Sequence, residues 1–201
     1  MRVDLQSVLN LSYVESFSKP FDYFLSPQAL RDDLSTTLLA WLETEAPWKL
    51  VETDFYEQYE FSFWDVEVPP ELLVLRQPDF LNELKTNVEN LFKVEVSNDI
   101  EVAAHKLIPG QRIRLHNDFI AGEQTYRLLI QLNRGCKDED GGLLLLFNSS
   151  EPADIHRVLR PVHNDAIGFV VCPASNHAVS LIHGGERFTL VYSFHGKNGN
   201  G

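Results

Sequence analysis

The sequence predicts a mainly β fold of the α+β class, a two-sheet jelly roll or barrel with helices gathered at its N-terminal end. Three observations predict it. Eight short strand-like segments succeed one another after residue 98, at 100–108, 112–118, 125–132, 142–148, 156–160, 166–171, 177–182 and 187–194. Pro109-Gly110, Gly141-Gly142 and Gly184-Gly185 separate some of them, as turns would. Before residue 98, apolar residues recur twice at helical spacing. The chain has 201 residues, 44% hydrophobic and 23% charged, which suits one folded unit with a sizeable core and excludes a disordered chain. The expected organisation is a single domain over 1–201: a helix-rich support region over 1–98, a β core over 99–195 and a frayed Gly/Asn-rich tail over 196–201.

Taken in chain order, Ser26-Pro27 reads as a helix start, with Ser26 as N-cap and Pro27 in the first turn. Leu30, Leu34, Leu38, Trp41 and Leu42 continue its apolar face, and Pro47 lies beyond its end. Trp48–Val51 and Phe55–Phe63 read as aromatic-rich strands. Pro69-Pro70 then interrupts regular structure. A second helix is expected from Pro78 to Phe92, carrying Phe80, Leu81, Leu84, Val88, Leu91 and Phe92. The N-terminal helices are expected to cover one sheet of the β core.

Charge and cysteine content narrow the function. Lys and Arg number 17 against 29 Asp and Glu, a net charge of −12, which argues against general nucleic-acid or anionic-membrane binding. No apolar run is longer than the five residues of Leu143–Phe147, which is too short to span a bilayer. Met1–Ser12 does not have the pattern of a secretory signal. With only Cys136 and Cys172, a disulfide framework or Cys-rich zinc site is excluded, a cytoplasmic setting is expected, and both thiols read as inert.

The chemistry concentrates at His116-x-Asp118. On a strand, residues two apart point to one face, so the imidazole and carboxylate would converge. His177, at the start of a later strand, is the expected third ligand. Two histidines and one carboxylate on one face of a metal leave the other face open, which suits non-heme Fe(II) and oxygen chemistry. Arg187, ten residues after His177, enters the last strand among apolar neighbours. If buried, it needs an anionic partner, and its forked donors fit a carboxylate. Thr189 shares its face. Arg127 and Gln131 share a face with Leu129; Arg127 is a candidate substrate or co-substrate contact, or a mouth residue in a surface ion pair. Asn117 and Phe119 read as packing or support residues. His105, His156, His163, His183 and His195 lack a partner at ligand spacing and read as surface or satisfied histidines. Asp138-Glu139-Asp140 reads as a solvated acidic loop.

In order and spacing, these residues resemble the Fe(II)- and 2-oxoglutarate-dependent dioxygenases, in particular the prolyl-4-hydroxylase-like branch. The resemblance spans roughly residues 100–195: Ile108-Pro109-Gly110, His116-x-Asp118, Leu129 to Asn133, the acidic loop closing on Gly141-Gly142, His177-x-Val179 and Gly185-x-Arg187-x-Thr189. It implies a double-stranded β-helix (cupin-like) core, Fe(II) held by His116, Asp118 and His177, and 2-oxoglutarate anchored by Arg187 with Thr189 beside it. Two positions depart from the family pattern. Gln131 and Leu107 stand where many relatives carry tyrosines that help hold 2-oxoglutarate; Tyr126 or Lys106 are the alternatives. Related halogenases lack the ligand carboxylate, so Asp118 implies hydroxylation.

The reading is an oxygenase that hydroxylates a C–H bond of a peptidyl residue or free amino acid. It would consume molecular oxygen and 2-oxoglutarate and release succinate and carbon dioxide. The aromatic stretch Phe55–Trp64 is either the substrate's approach or a packed strand pair. The alternative reading is a non-catalytic, cupin-like metal- or ligand-binding or protein-interaction module.

Overall fold

The computed structural model describes residues 8–123, 125–135 and 137–197. Cys136 and most of the tail lie outside these residues. In chain order the elements are β1 (Glu15–Phe17), β2 (Tyr23–Ser26), α1 (Asp32–Thr44), β3 (Lys49–Glu52), β4 (Glu57–Ser62), a 3-10 turn (Pro70–Arg76) and α2 (Pro78–Phe92). Next come β5 (Val96–Leu107), β6 (Ile113–His116), β7 (Thr125–Leu132), β8 (Leu144–Phe147), β9 (Ile155–Leu159), β10 (Ala166–Val171), β11 (His177–Val179) and β12 (Arg187–Gly196).

All eight expected strands of the β core form, and they divide between two antiparallel sheets. The larger sheet has the order β1-β2-β10-β7-β12-β5-β4-β3 and the smaller β6-β11-β8-β9. This is a double-stranded β-helix. The larger sheet is extended at both edges by strands from the N-terminal region. β1 and β2, which the sequence reading missed, add to one edge, and the β3–β4 pair adds to the other.

Period-two alternation then sets two cores. Val102, Ala104, Leu128, Ile130, Leu190, Tyr192 and Phe194 face outward, where Leu38, Leu42, Leu72, Leu84 and Val88 of the helices and the 3-10 turn cover them. Leu107, Ile167, Phe169 and Val171 face inward against Leu144, Leu146 and Val179 of the smaller sheet. The expected helical cover is therefore present. β12 sits between β7 and β5 with both faces packed, and its inward residues Arg187, Thr189, Val191 and Ser193 form the spine of the interior.

One expected boundary is wrong. The first helix starts at Asp32, with Arg31 at its N-cap, and Ser26 instead ends β2. Gln28 has a positive φ of 52°, which no helix tolerates. The Asn164 side chain, from a loop 134 residues away, also clamps Leu30: its Oδ1 accepts from the Leu30 N–H at 2.9 Å and its Nδ2 donates to the Leu30 carbonyl at 2.7 Å. A tertiary contact thus overrides a local capping signal. Replacing Asn164 with Ala should leave two buried backbone groups without partners, and Ala must also adopt a φ of 64°. The expected loss is about 2–4 kcal/mol; an unchanged urea midpoint would refute the clamp.

The second helix runs over Pro78–Phe92 as expected and ends where Lys93 turns left-handed, with a φ of 58°. The Gly141-Gly142 turn into β8 also holds. Both have positive φ, and a Cβ on Gly141 would lie 1.9 Å from the Leu181 carbonyl oxygen. No helix among the described residues is long and apolar enough to cross a membrane.

Candidate metal centre and its cavity

The structure brings His116, Asp118 and His177 together. One donor atom from each lies within 4.8 Å of the others. His116 Nε2 is 3.3 Å from Asp118 Oδ1, and His177 Nε2 is 3.5 Å from Asp118 Oδ2. Register explains part of this: His177 is the direct cross-strand partner of His116. The route to Asp118 differs from the strand geometry expected. β6 ends at His116, and Asp118 lies in the next loop with a left-handed φ of 49°. It is this turn, not strand alternation, that swings the carboxylate back toward the imidazoles.

Each histidine is held by a backbone carbonyl. His116 Nδ1 lies 2.8 Å from the Arg114 oxygen and His177 Nδ1 2.7 Å from the Ser175 oxygen. A carbonyl only accepts, so each Nδ1 carries the proton and each Nε2 turns a lone pair inward. That is the tautomer a metal ligand requires. Phe55 stacks on His116 at 4.7 Å, and the Phe169 ring meets His177 edge-on at 5.2 Å. Asn117 donates from Nδ2 to the Pro173 carbonyl, tying the ligand loop to the segment before β11, so its expected supporting role holds.

Electrostatics match this arrangement. Burial alone would raise the Asp118 pKa. The adjacent His116 and His177 imidazoles and the charge of Arg127 outweigh it and hold the carboxyl well below its usual range. Burial lowers the His177 pKa, with Asp118 opposing, which favours neutral imidazole. Two lone-pair nitrogens and an ionised carboxylate, converging from one side, fit a divalent metal with an open face.

The triad opens into a cavity of about 300 Å³ between the sheets. Arg187, 6% exposed, lines it from the start of β12, together with Thr189. The Thr189 hydroxyl donates to Gln131 Oε1 at 3.2 Å. Arg127 also lines the cavity, with Nη1 3.5 Å from Asp118 Oδ2. Neither alternative to the missing tyrosines reaches the cavity. Tyr126 packs in the outward core against Phe92, and Lys106 pairs with Glu186 on the other face of its strand, since each has the wrong strand parity. Leu107 packs in the inward apolar core.

The sequence reading gave Glu60 and Glu101, both of which line the cavity, no role. His105, expected at the surface or satisfied by partners, lines the cavity beside Thr189, its cross-strand partner. Burial, reinforced by Arg127 and Arg187, pushes its pKa down to about 3. Parity was the available signal: His105 lies two residues before Leu107 on one strand and shares its face. The aromatic stretch divides. Phe55 and Tyr56 line the cavity, whereas Phe61 and Phe63 pack against Trp41 in the outward core. Asp138 pairs with Arg160 at 2.6 Å, consistent with a solvated loop.

Comparisons with known proteins bear on this geometry. Residues 101–195 match the model of the 2OG-Fe(II) oxygenase superfamily. A sequence comparison with curated proteins gives no match. Among solved structures, a Pseudomonas putida prolyl-4-hydroxylase is similar at 18% identity and a TM-score of 0.71, covering 88% of this chain and 93% of that one. A viral collagen prolyl hydroxylase from Paramecium Bursaria Chlorella virus-1, solved with 2OG, is 15% identical with a TM-score of 0.62 over 87% and 96%. A Trichoplax adhaerens prolyl hydroxylase, solved with a hypoxia inducible factor peptide fragment, is 12% identical with a TM-score of 0.67 over 87% and 83%. At these identities the structures establish the shared fold. Over residues 101–195 the β core is similar to the 2OG-Fe(II) oxygenase superfamily, and the His116, Asp118 and His177 cluster fits a dioxygenase with Fe(II) as cofactor and 2-oxoglutarate as co-substrate.

Proposed function

We propose that this oxygenase hydroxylates a C–H bond of an amino acid or peptidyl substrate, with His116, Asp118 and His177 holding Fe(II) and Arg187 anchoring 2-oxoglutarate. The observation that carries the reading is the paired tautomer lock. Both imidazoles are fixed through Nδ1, so both Nε2 lone pairs and the Asp118 carboxylate converge at the cavity. The helical region and the β core are proposed to act as one domain, because the helices cover the outer face of the sheet that carries the cavity.

When bound, Fe(II) and 2-oxoglutarate supply the oxidation: one oxygen atom enters the substrate C–H bond as hydroxyl, and the other enters succinate as carbon dioxide leaves. The protein's contribution is orientation and shielding. Arg187 offers a fork of donors to the distal carboxylate at a buried position, where charge-assisted bonds are strengthened. Gln131 fixes the Thr189 hydroxyl, and turning its amide over would let Nε2 donate to Thr189 instead, freeing the hydroxyl proton for the co-substrate. Phe55 and Phe169 close apolar rings around the histidines and limit the access of water. Asp118 supplies the carboxylate ligand expected of hydroxylation.

The test is anaerobic addition of Fe(II) and 2-oxoglutarate to the purified protein. A weak visible charge-transfer band is expected, bleaching when oxygen is admitted and releasing succinate in proportion to the 2-oxoglutarate consumed. Iron binding with neither band nor succinate, across a panel of amino acids and peptides, would favour a non-catalytic binding module.

A further inference from the structure

We propose that Arg127 forms a carboxylate subsite at the mouth of the cavity, and that the substrate is therefore a zwitterionic free amino acid, not an internal peptide residue. The inference rests on the proposed oxygenase function and names the substrate class of the same site.

Arg127 faces inward from β7, and its Nη1 lies 3.5 Å from Asp118 Oδ2, so a group held by its guanidinium sits beside the metal centre. Its cross-strand neighbour Ser193 stands at the opposite end of β12 from Arg187. A ligand on Arg127 thus occupies a different part of the cavity from a carboxylate anchored by Arg187.

Arg127 Nε is buried and has no hydrogen-bond partner among the described residues. Buried donors of this kind are rare in native proteins, and 29% of the Arg127 side chain stays exposed where it lines the cavity, which leaves the guanidinium open to an acceptor there. Asp118 does not meet the need. It meets the guanidinium through Nη1 alone, at 3.5 Å, and a divalent cation held by the triad would draw off part of its charge. A free carboxylate neutralises the guanidinium with two parallel bonds; the neutral amide of an internal residue does not. The same mouth carries the opposite sign as well. Glu60 and Glu101 line it, with Ser193 beside Glu101, and burial together with Glu60 and Asp118 raises the Tyr56 pKa while Arg127 opposes. One carboxylate at Arg127 and an ammonium facing the glutamates satisfy both signs, which defines a zwitterion.

The experiment is calorimetry on protein loaded with Mn(II) and 2-oxoglutarate, titrated with the common free L-amino acids. The tightest binder is then titrated as its C-terminal amide and as the central residue of a tripeptide. The amide and the tripeptide should bind about 10- to 100-fold more weakly than the free acid. Arg127→Gln should weaken the free acid by a similar factor and the amide hardly at all, and Arg127→Lys should fall between. No binding by any amino acid, equal affinity for acid and amide, or an equal loss for both in Arg127→Gln overturns the proposal. So does a fall in Mn(II) or 2-oxoglutarate affinity in that variant, which would assign Arg127 to Asp118 or to the co-substrate. A wild-type protein that fails to take up Mn(II) and 2-oxoglutarate in the loading step instead refutes the oxygenase reading itself.

Discussion

Asp118→Ala is expected to abolish turnover and to weaken Fe(II) or Mn(II) binding by more than the roughly 10- to 100-fold that losing an outer-shell partner costs. The expectation comes from charge. The two imidazoles are neutral donors, so Asp118 is the one anion of the triad. Without it a divalent cation meets only neutral ligands, with the Arg127 guanidinium nearby to repel it. The fold should survive, because Asp118 lies in a loop beyond β6 and belongs to neither apolar core. Calorimetry gives the affinity. Thermal melting gives an independent readout, since a metal that binds only the folded chain raises the wild-type midpoint and should leave the variant's unmoved. Wild-type metal affinity in Asp118→Ala would remove the site from this position.

The second large effect concerns Arg187. Arg187→Ala should lower 2-oxoglutarate affinity by roughly 30- to 1000-fold, the equivalent of about 2–4 kcal/mol for losing a charge-assisted bidentate contact. Metal binding should change little, because the triad stands on β6, the loop after it and β11, whereas Arg187 begins β12. Arg187→Lys should recover part of the loss and no more, since an ammonium cannot present two parallel donors. That variant also guards against misreading, because it keeps a charge at a position only 6% exposed. Unchanged 2-oxoglutarate affinity in Arg187→Ala would move the anchor to another cation of the cavity, Arg127 being the first to test.

The sequence signals that proved sound were those whose physics is local. Period-two apolar runs separated by Gly and Pro turns marked all eight strands of the β core, because alternation is a property of each strand alone. The α2 helix was legible from its own apolar spacing and the Pro at its start. Local signals failed where a distant residue intervened. Ser26-Pro27 has the form of a helix start, yet Asn164 holds Leu30 extended, and no window around residue 26 contains that information.

The site divides along the same line. The meeting of His116, Asp118 and His177 and the burial of Arg187 in the same cavity were legible because converging metal donors and an arginine entering an apolar strand restrict residue type and spacing severely. By itself, the sequence thus determined the β fold class and the donor set. Tertiary structure alone decided how Asp118 reaches the imidazoles, through a left-handed turn and not along a strand. It also decided that Gln131 bonds Thr189, that Tyr126 and Lys106 face away, and that His105, Glu60, Glu101 and Arg127 share one cavity. The physical reason is register. Cross-strand pairs such as Glu60 with His105, His105 with Thr189, and Thr189 with Gln131 join residues from four strands, and a slip of one position would turn each to the other face.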